Sequence, residues 1–151
     1  MADKARRYRD IDRATARLNR ICLYKLLHGE RIHPGQPPIL KFLLEKDGRS
    51  QCELANLIGV SRASLGVSLR RMENAGVITR RSDARDTRYN MVYLTEVGRE
   101  LALKSEAALD TLTAWKLDGF SEQELDQLLG YLSRIQANLL KMQESSCDEK
   151  K

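Results

Sequence analysis

The chain has 151 residues, a hydrophobic content of 42% and a formal net charge of +5. This suits one small globular domain and excludes a membrane-spanning protein, because no run of about 18 apolar residues occurs. The cysteines, Cys22, Cys52 and Cys147, are odd in number and scattered; they have no metal or redox spacing and suit a reducing compartment.

Charge is unevenly spread. Residues 1–31 hold nine Lys/Arg against four Asp/Glu and residues 49–99 nine against five, whereas residues 100–151 reverse to six against ten. The acidic end belongs away from phosphate, and the basic segments could approach it. Met1-Ala2-Asp3-Lys4-Ala5-Arg6 is followed by no apolar signal core, so a cytoplasmic location is expected.

In chain order, Ile11, Ala14, Leu18 and Ile21 give an N-terminal helix an apolar stripe. Cys22 lies near Arg17, Arg20 and Lys25, a setting that would activate a thiolate. His28 beside Gly29 reads as a helix C-terminal residue. Pro34, Pro37 and Pro38 shape a linker and a helix start, since proline is tolerated in a first turn.

Ser50 and Glu53 have the spacing of a capping box, which predicts a helix from Gln51 to Ile58 with Leu54, Leu57 and Ile58 on its buried face. Gly59 should end it in a positive-φ turn. Ser61 caps a second helix, Arg62 to Ala75, closed by Gly76. Two short helices joined by a tight glycine turn make a helix-turn-helix. In the second, Leu65, Leu69 and Met72 should face inward. That leaves Arg62, Ala63, Ser64, Gly66, Val67 and Arg70 outward, where a DNA major groove would lie.

Beyond Gly76 the periodicity alternates. Val77 to Arg81 and Tyr89 to Leu94 are β-prone around the polar run Asp83-Ala84-Arg85-Asp86-Thr87-Arg88, which predicts a two-stranded wing. Thr95 caps a further helix with the stripe Val97, Leu101, Ala108, Leu112 and Trp115. Ser121 and Glu124 form another capping box, and Leu125, Leu128, Leu132, Ile135, Leu139 and Met142 then follow a heptad seam. These flanking stripes are too long for the winged region to cover. A homodimer is the simplest way to bury them, although heptad spacing alone would also serve a monomeric bundle.

The fragments Leu54-Ala55, Gly59-Val60-Ser61, Met72 to Arg80, Asp86-Thr87-Arg88 and Leu94-Thr95-Glu96-Val97-Gly98 resemble the signature of the MarR-type regulators. The expected fold is mainly α with a small β-hairpin wing: a winged helix-turn-helix (34–98) between N-terminal (1–33) and C-terminal (99–151) dimerisation helices. The resemblance implies a homodimeric transcriptional regulator, usually a repressor, and no enzyme. Two recognition helices about 34 to 36 Å apart would meet successive major grooves of double-stranded DNA, so the operator should be near-palindromic.

Ser61, Arg62 and Ser64 open the recognition helix, where the helix dipole favours phosphate and groove contacts. Gly66 and Val67 depart from the family, whose members more often carry Thr and a basic or polar residue. Val67 could pack on a thymine methyl, and Gly66 could admit close backbone approach. Arg70 is as compatible with a solvated helix face as with DNA. By resemblance Arg88 enters the minor groove, whose narrow A·T-rich form concentrates negative potential, and Asp86 holds the wing and that arginine in place. Arg85 is a second candidate, toward phosphate.

Family members often bind phenolic or other small effectors between the dimerisation helices and the winged region. Tyr24, His28, His33 and Trp115 are the candidates here, each also explicable as a core, interface or helix-end residue. Cys22 is a candidate redox sensor, a buried inert thiol being the commoner case. No metal site or cofactor is expected. A winged helix that docks protein is the other functional class, supported by Gly66 and Val67.

Overall fold

The computed structural model describes residues 1–30, 32–33, 35–82 and 90–148. Among them the order is α1 (Ala2–Leu26), α2 (Pro37–Glu45), β1 (Arg49–Ser50), α3 (Gln51–Ile58), α4 (Arg62–Asn74), β2 (Ile78–Ser82), β3 (Asn90–Leu94), α5 (Glu96–Leu117) and α6 (Glu122–Asp148). The chain divides into two compact units, Met1–Leu112 and Thr113–Lys151. No helix among the described residues is long and apolar enough to cross a membrane.

The core of the first unit gathers Ile39, Leu40 and Leu43 of α2, Leu54 and Ala55 of α3, Leu65, Leu69 and Met72 of α4, and Ile78, Val92 and Leu94 of the sheet. Pro37 and Pro38 occupy the first turn of α2, where their ring-fixed φ fits and no N–H is missed. In α3 the buried pair is Leu54 and Ala55, while Leu57, expected inward, is 44% exposed. The buried face therefore runs through Leu54 and Ala55, with the half-buried Ile58 beside it, and turns away from Leu57.

Ser50 caps α3 by accepting from the Glu53 amide at 3.1 Å. The reciprocal half of the box is replaced, because the Glu53 carboxylate pairs with Arg49, whose Nε donates to the Phe42 carbonyl at 2.9 Å. Ser50 also ends a strand. Arg49 and Ser50 stand opposite Val92 and Met91, so the expected two-stranded ribbon is a three-stranded antiparallel sheet, β1-β3-β2. Two residues are too few to show alternation in sequence.

Asp47 secures this added strand. Its Oδ1 accepts from the Gly48 amide at 3.2 Å and the Leu94 amide at 2.9 Å, while Oδ2 faces Arg99 Nη2 at 3.3 Å. The β2–β3 register runs from Ile78 opposite Leu94 to Ser82 opposite Asn90.

At the end of α4, Gly76 (φ 71°) donates to the Glu73 carbonyl and the Val77 amide to the Met72 carbonyl, both at 2.9 Å. This is a Schellman closure, and it leaves Val77 buried at the start of the sheet. The Thr95 hydroxyl donates to the Gly76 carbonyl at 2.6 Å and accepts from the Gly98 amide at 3.0 Å. The buried line of α5 is Gly98, Leu101, Ala102, Ser105 and Ala108, rather than one beginning at Val97, which is 54% exposed. Glycine, not the larger valine, supplies the close approach.

In the second unit the Ser121 box is complete: the Ser121 amide donates to Glu124 Oε2 at 2.9 Å, and the Glu124 amide to Ser121 Oγ at 3.3 Å. That N–H contact holds the Glu124 carboxyl below its ordinary range. Of the α6 seam, Leu125, Leu128 and Ile135 are half-buried, whereas Leu132, Leu139 and Met142 are exposed.

Candidate nucleic-acid interface

α3, the Gly59-Val60 turn and α4 form the helix-turn-helix. Gly59 takes φ 75°, and its amide and that of Val60 both donate to the Ala55 carbonyl, closing α3 tightly. Ser61 caps α4 by accepting from the Ser64 amide at 3.1 Å, and its hydroxyl also bonds Ser64 Oγ at 2.9 Å. The first-turn amides of α4 therefore lie on an exposed surface, at the positive end of a 13-residue helix.

With Leu65, Leu69 and Met72 buried, the helical repeat sets Ala63, Val67 and Arg70 at the centre of the outward face. Ser64 and Arg71 are exposed on one side of that centre, and Arg62 on the other. Gly66 lies on the Arg62 side and is only half-exposed.

A residue that the sequence marks only as a helix start accounts for Gly66. Gln51, first in α3, donates from Nε2 to the Arg62 carbonyl at 3.0 Å, and a Cβ on Gly66 would come within 3.1 Å of that nitrogen. Gly66 thus makes room for a clasp between the two helices. A lone glutamine at a helix start carries no motif, so only its seat on Gly66 could have flagged it. Arg62 also reaches α3, donating from Nη2 to Cys52 Sγ at 3.1 Å.

At the base of the wing the basic residues differ in availability. Arg80 donates twice to the Glu73 carboxylate, one bond measuring 2.9 Å. The hydrogen bond from Arg80 holds the Glu73 carboxyl below its ordinary value and raises Arg80 in turn. Arg81 is exposed and stacks over the Tyr93 ring, 5.3 Å from its centroid. The expected wing residues Arg85, Asp86 and Arg88 lie outside the described residues.

Tyr24, His28 and His33 are brought together around an open cleft of about 370 Å³, with Leu27 and Ile32 behind them. Trp115 belongs to the other unit, where it is 76% exposed and lines a surface recess with Ala114 and Asp118. Cys22 is a half-buried free thiol on α1. Among the described residues no cluster of three or more His, Cys, Asp or Glu could hold a metal ion.

The MarR family model matches residues 32–88, which include α2, β1, the helix-turn-helix and β2. The crystal structure of the transcriptional regulator SlyA is 30% identical over 87% of this chain and 92% of its own, with a TM-score of 0.73. This chain belongs to the MarR family of transcriptional regulators. Two further structures share this fold. One is the S. aureus MepR–DNA complex, 24% identical over 87% of this chain and 97% of that one, at a TM-score of 0.81. The other is the transcriptional repressor CouR bound to a 23-mer DNA duplex, 24% identical over 83% and 89%, at 0.73. MarR proteins regulate transcription and are not enzymes, which agrees with the sequence reading.

Proposed function

We propose that this MarR-family regulator is a homodimeric repressor that grips a near-palindromic operator and is released by a small-molecule effector. The observation carrying the DNA reading is the uncovered outward face of α4, where Arg62, Arg70 and Arg71 are exposed around Ala63 and Val67. Phosphate contacts from such side chains and from the capped helix start position the protein, while groove-facing residues specify sequence. The DNA-bound MepR and CouR structures, alike in fold, support a DNA-binding role.

Dimerisation is supported by apolar surface that the single chain leaves uncovered. α1 has no buried residue, and Ile11, Leu18, Ile21 and Tyr24 on it are 40–57% exposed. On α6, Leu132, Leu139 and Met142 are 51–69% exposed. Stripes of this kind mark an interaction surface in a soluble chain. A symmetric pair would bury them and set two recognition helices one helical turn of DNA apart.

The cleft at Tyr24, His28 and His33 supports the effector reading. Its volume is in the range of small-ligand sites, and it combines an aromatic, two imidazoles and an aliphatic floor. It joins the end of α1 to the entry of α2, so a ligand there would bias how the N-terminal helix meets the winged region.

The wing assignment carries over on Arg88 and Asp86, with Arg85 toward phosphate. The test is fluorescence anisotropy against the duplex flanking the coding sequence, as a function of salt. Wild-type affinity should fall steeply with salt, in proportion to the phosphates neutralised. Arg88→Ala should weaken binding strongly while sedimentation still shows a dimer; unchanged binding would remove the minor-groove role. A folded dimer that ignores duplex DNA at low salt would instead favour a protein-docking winged helix.

A further inference from the structure

We infer that the centre of the recognition helix reads a thymine 5-methyl group, with Val67 as the side chain that contacts it. This rests on the DNA-binding reading above and adds the chemistry of one recognised base.

Ala63 and Val67 lie at the middle of the exposed face in the N-terminal half of α4, the half that reaches base edges in a helix-turn-helix. Val67 is 42% exposed, a large apolar exposure for a side chain with no apolar neighbour outward of it on α4 except Ala63. Toward the helix start, the polar groups near it are directed elsewhere. The Gln51 amide is held by the Arg62 carbonyl. The Ser61 and Ser64 hydroxyls are joined to each other across the cap. The Arg62 guanidinium leans toward Cys52 on α3, away from the central line. What remains in the N-terminal half of the face is the apolar pair Ala63 and Val67, with Arg62 on one flank and the exposed Arg70 and Arg71 one turn further on.

The major groove offers one apolar group among the four bases, the C5 methyl of thymine; the other base edges present donors and acceptors. An isopropyl group pressed on a donor or acceptor removes its water and returns no bond, which is unfavourable. Against a methyl the same group buries apolar area on both sides. The flanking arginines supply the positive charge that fits a strip lying between phosphate backbones, so duplex DNA is the occupant.

The experiment uses the full chain and duplexes selected by it from a random library. Each thymidine of a selected duplex is replaced in turn, symmetrically in both half-sites, by deoxyuridine, which deletes the methyl and keeps every base-pairing group. The inference expects one symmetric pair of positions where this replacement weakens binding about three- to tenfold. Val67→Ala should bind the thymidine duplex more weakly by a similar factor and lose the distinction between thymidine and deoxyuridine, whereas Val67→Ile should keep it. Val67 is at the surface, so both variants should melt with the wild type, a control read by circular dichroism.

Uniform indifference to deoxyuridine, with binding intact, would overturn the methyl contact alone. Full discrimination by Val67→Ala would assign the methyl to another side chain. Failure of the selection to return any bound duplex would instead defeat the DNA reading on which the inference rests.

Discussion

A Cβ atom placed on Gly98 would stand 1.9 Å from the carbonyl oxygen of Val77. That oxygen cannot move aside, because it accepts from the Thr95 amide at 3.1 Å and belongs to the chain entering the sheet. The start of α5 is therefore pressed against the closure of α4. Gly98→Ala should force backbone displacement and cost on the order of 2–4 kcal/mol, the range of overpacked core sites. A urea unfolding free energy within 1 kcal/mol of wild type at unchanged slope would show that this junction yields.

Thr95 completes that junction by a different means. Its hydroxyl accepts from the Gly98 amide and donates to the Gly76 carbonyl, so one side chain caps α5 and satisfies the turn after α4. Thr95→Ala should cost about 1–2 kcal/mol. Thr95→Ser, which keeps the oxygen, should recover most of it. Equal losses for the two would assign the effect to the methyl group rather than the hydrogen bonds. Thermal melts of the pair decide between them.

Glu73 lies in the last turn of α4, where the helix dipole disfavours a negative charge, and Arg80 of β2 neutralises it. The hydrogen bond from Arg80 keeps the Glu73 carboxyl below its ordinary value of 4.5 in the folded chain. The unfolded chain therefore takes up the proton first as pH falls. The pair's contribution is fully present above about pH 4.5 and is lost as pH drops through the lower folded value. The Glu73 side chain is 36% exposed, so screening limits the effect to roughly 0.5–1 kcal/mol. Stability curves of wild type and Glu73→Gln should lie apart at pH 7 and converge as the pH falls through the lower folded value; a constant gap would show that the ion pair is not its source.

The apolar face of α6 makes a prediction about assembly. Leu132 is half exposed in the single chain, so burying both copies in a dimer is worth about 1.5–3 kcal/mol together. Leu132→Lys should weaken self-association by roughly ten- to a hundredfold, measured by sedimentation equilibrium. The α2–α4 core is built from other residues, so near-native helicity should persist at low concentration. Operator binding should fall together with the dimer. A Leu132→Lys protein that dimerises like wild type would place the interface elsewhere.

The parts that were legible in sequence are those fixed by one or two residues. Ser61 caps the helix expected of it, Ser121 caps where its spacing to Glu124 says, and Gly59 and Gly76 take positive φ at the turns. Features set by distant partners were not legible. β1 exists because Arg49 and Ser50 meet β3 some forty residues later, and Asp47 fixes it through the Leu94 amide. Leu57 and Val97 carry the apolarity of a core residue, yet Ala55 and Gly98 take the inner positions, Gly98 because a Cβ there would meet the Val77 carbonyl oxygen. On the recognition face, the outward set was readable from helical period, but the committed state of its polar groups was not. Gln51 and Cys52 act on α4 from another helix, and no spacing within α4 announces them.

Gly66 separates two explanations of the same residue. If glycine is needed so that the α4 backbone can approach DNA, Gly66→Ala should impair binding by steric exclusion while leaving stability intact or raised. If its purpose is to seat Gln51, the added methyl meets only the end of a flexible, half-exposed amide at 3.1 Å, which can swing aside. The loss is then one exposed hydrogen bond to the Arg62 carbonyl, about 0.5 kcal/mol, against a helix-propensity gain of up to about 1 kcal/mol. The structure favours the second, so Gly66→Ala should be neutral to slightly stabilising and retain operator affinity within about threefold. Gln51→Ala should have an equally mild effect on binding. A tenfold or greater loss of affinity in Gly66→Ala, with an unchanged melting temperature, would return Gly66 to the DNA interface itself.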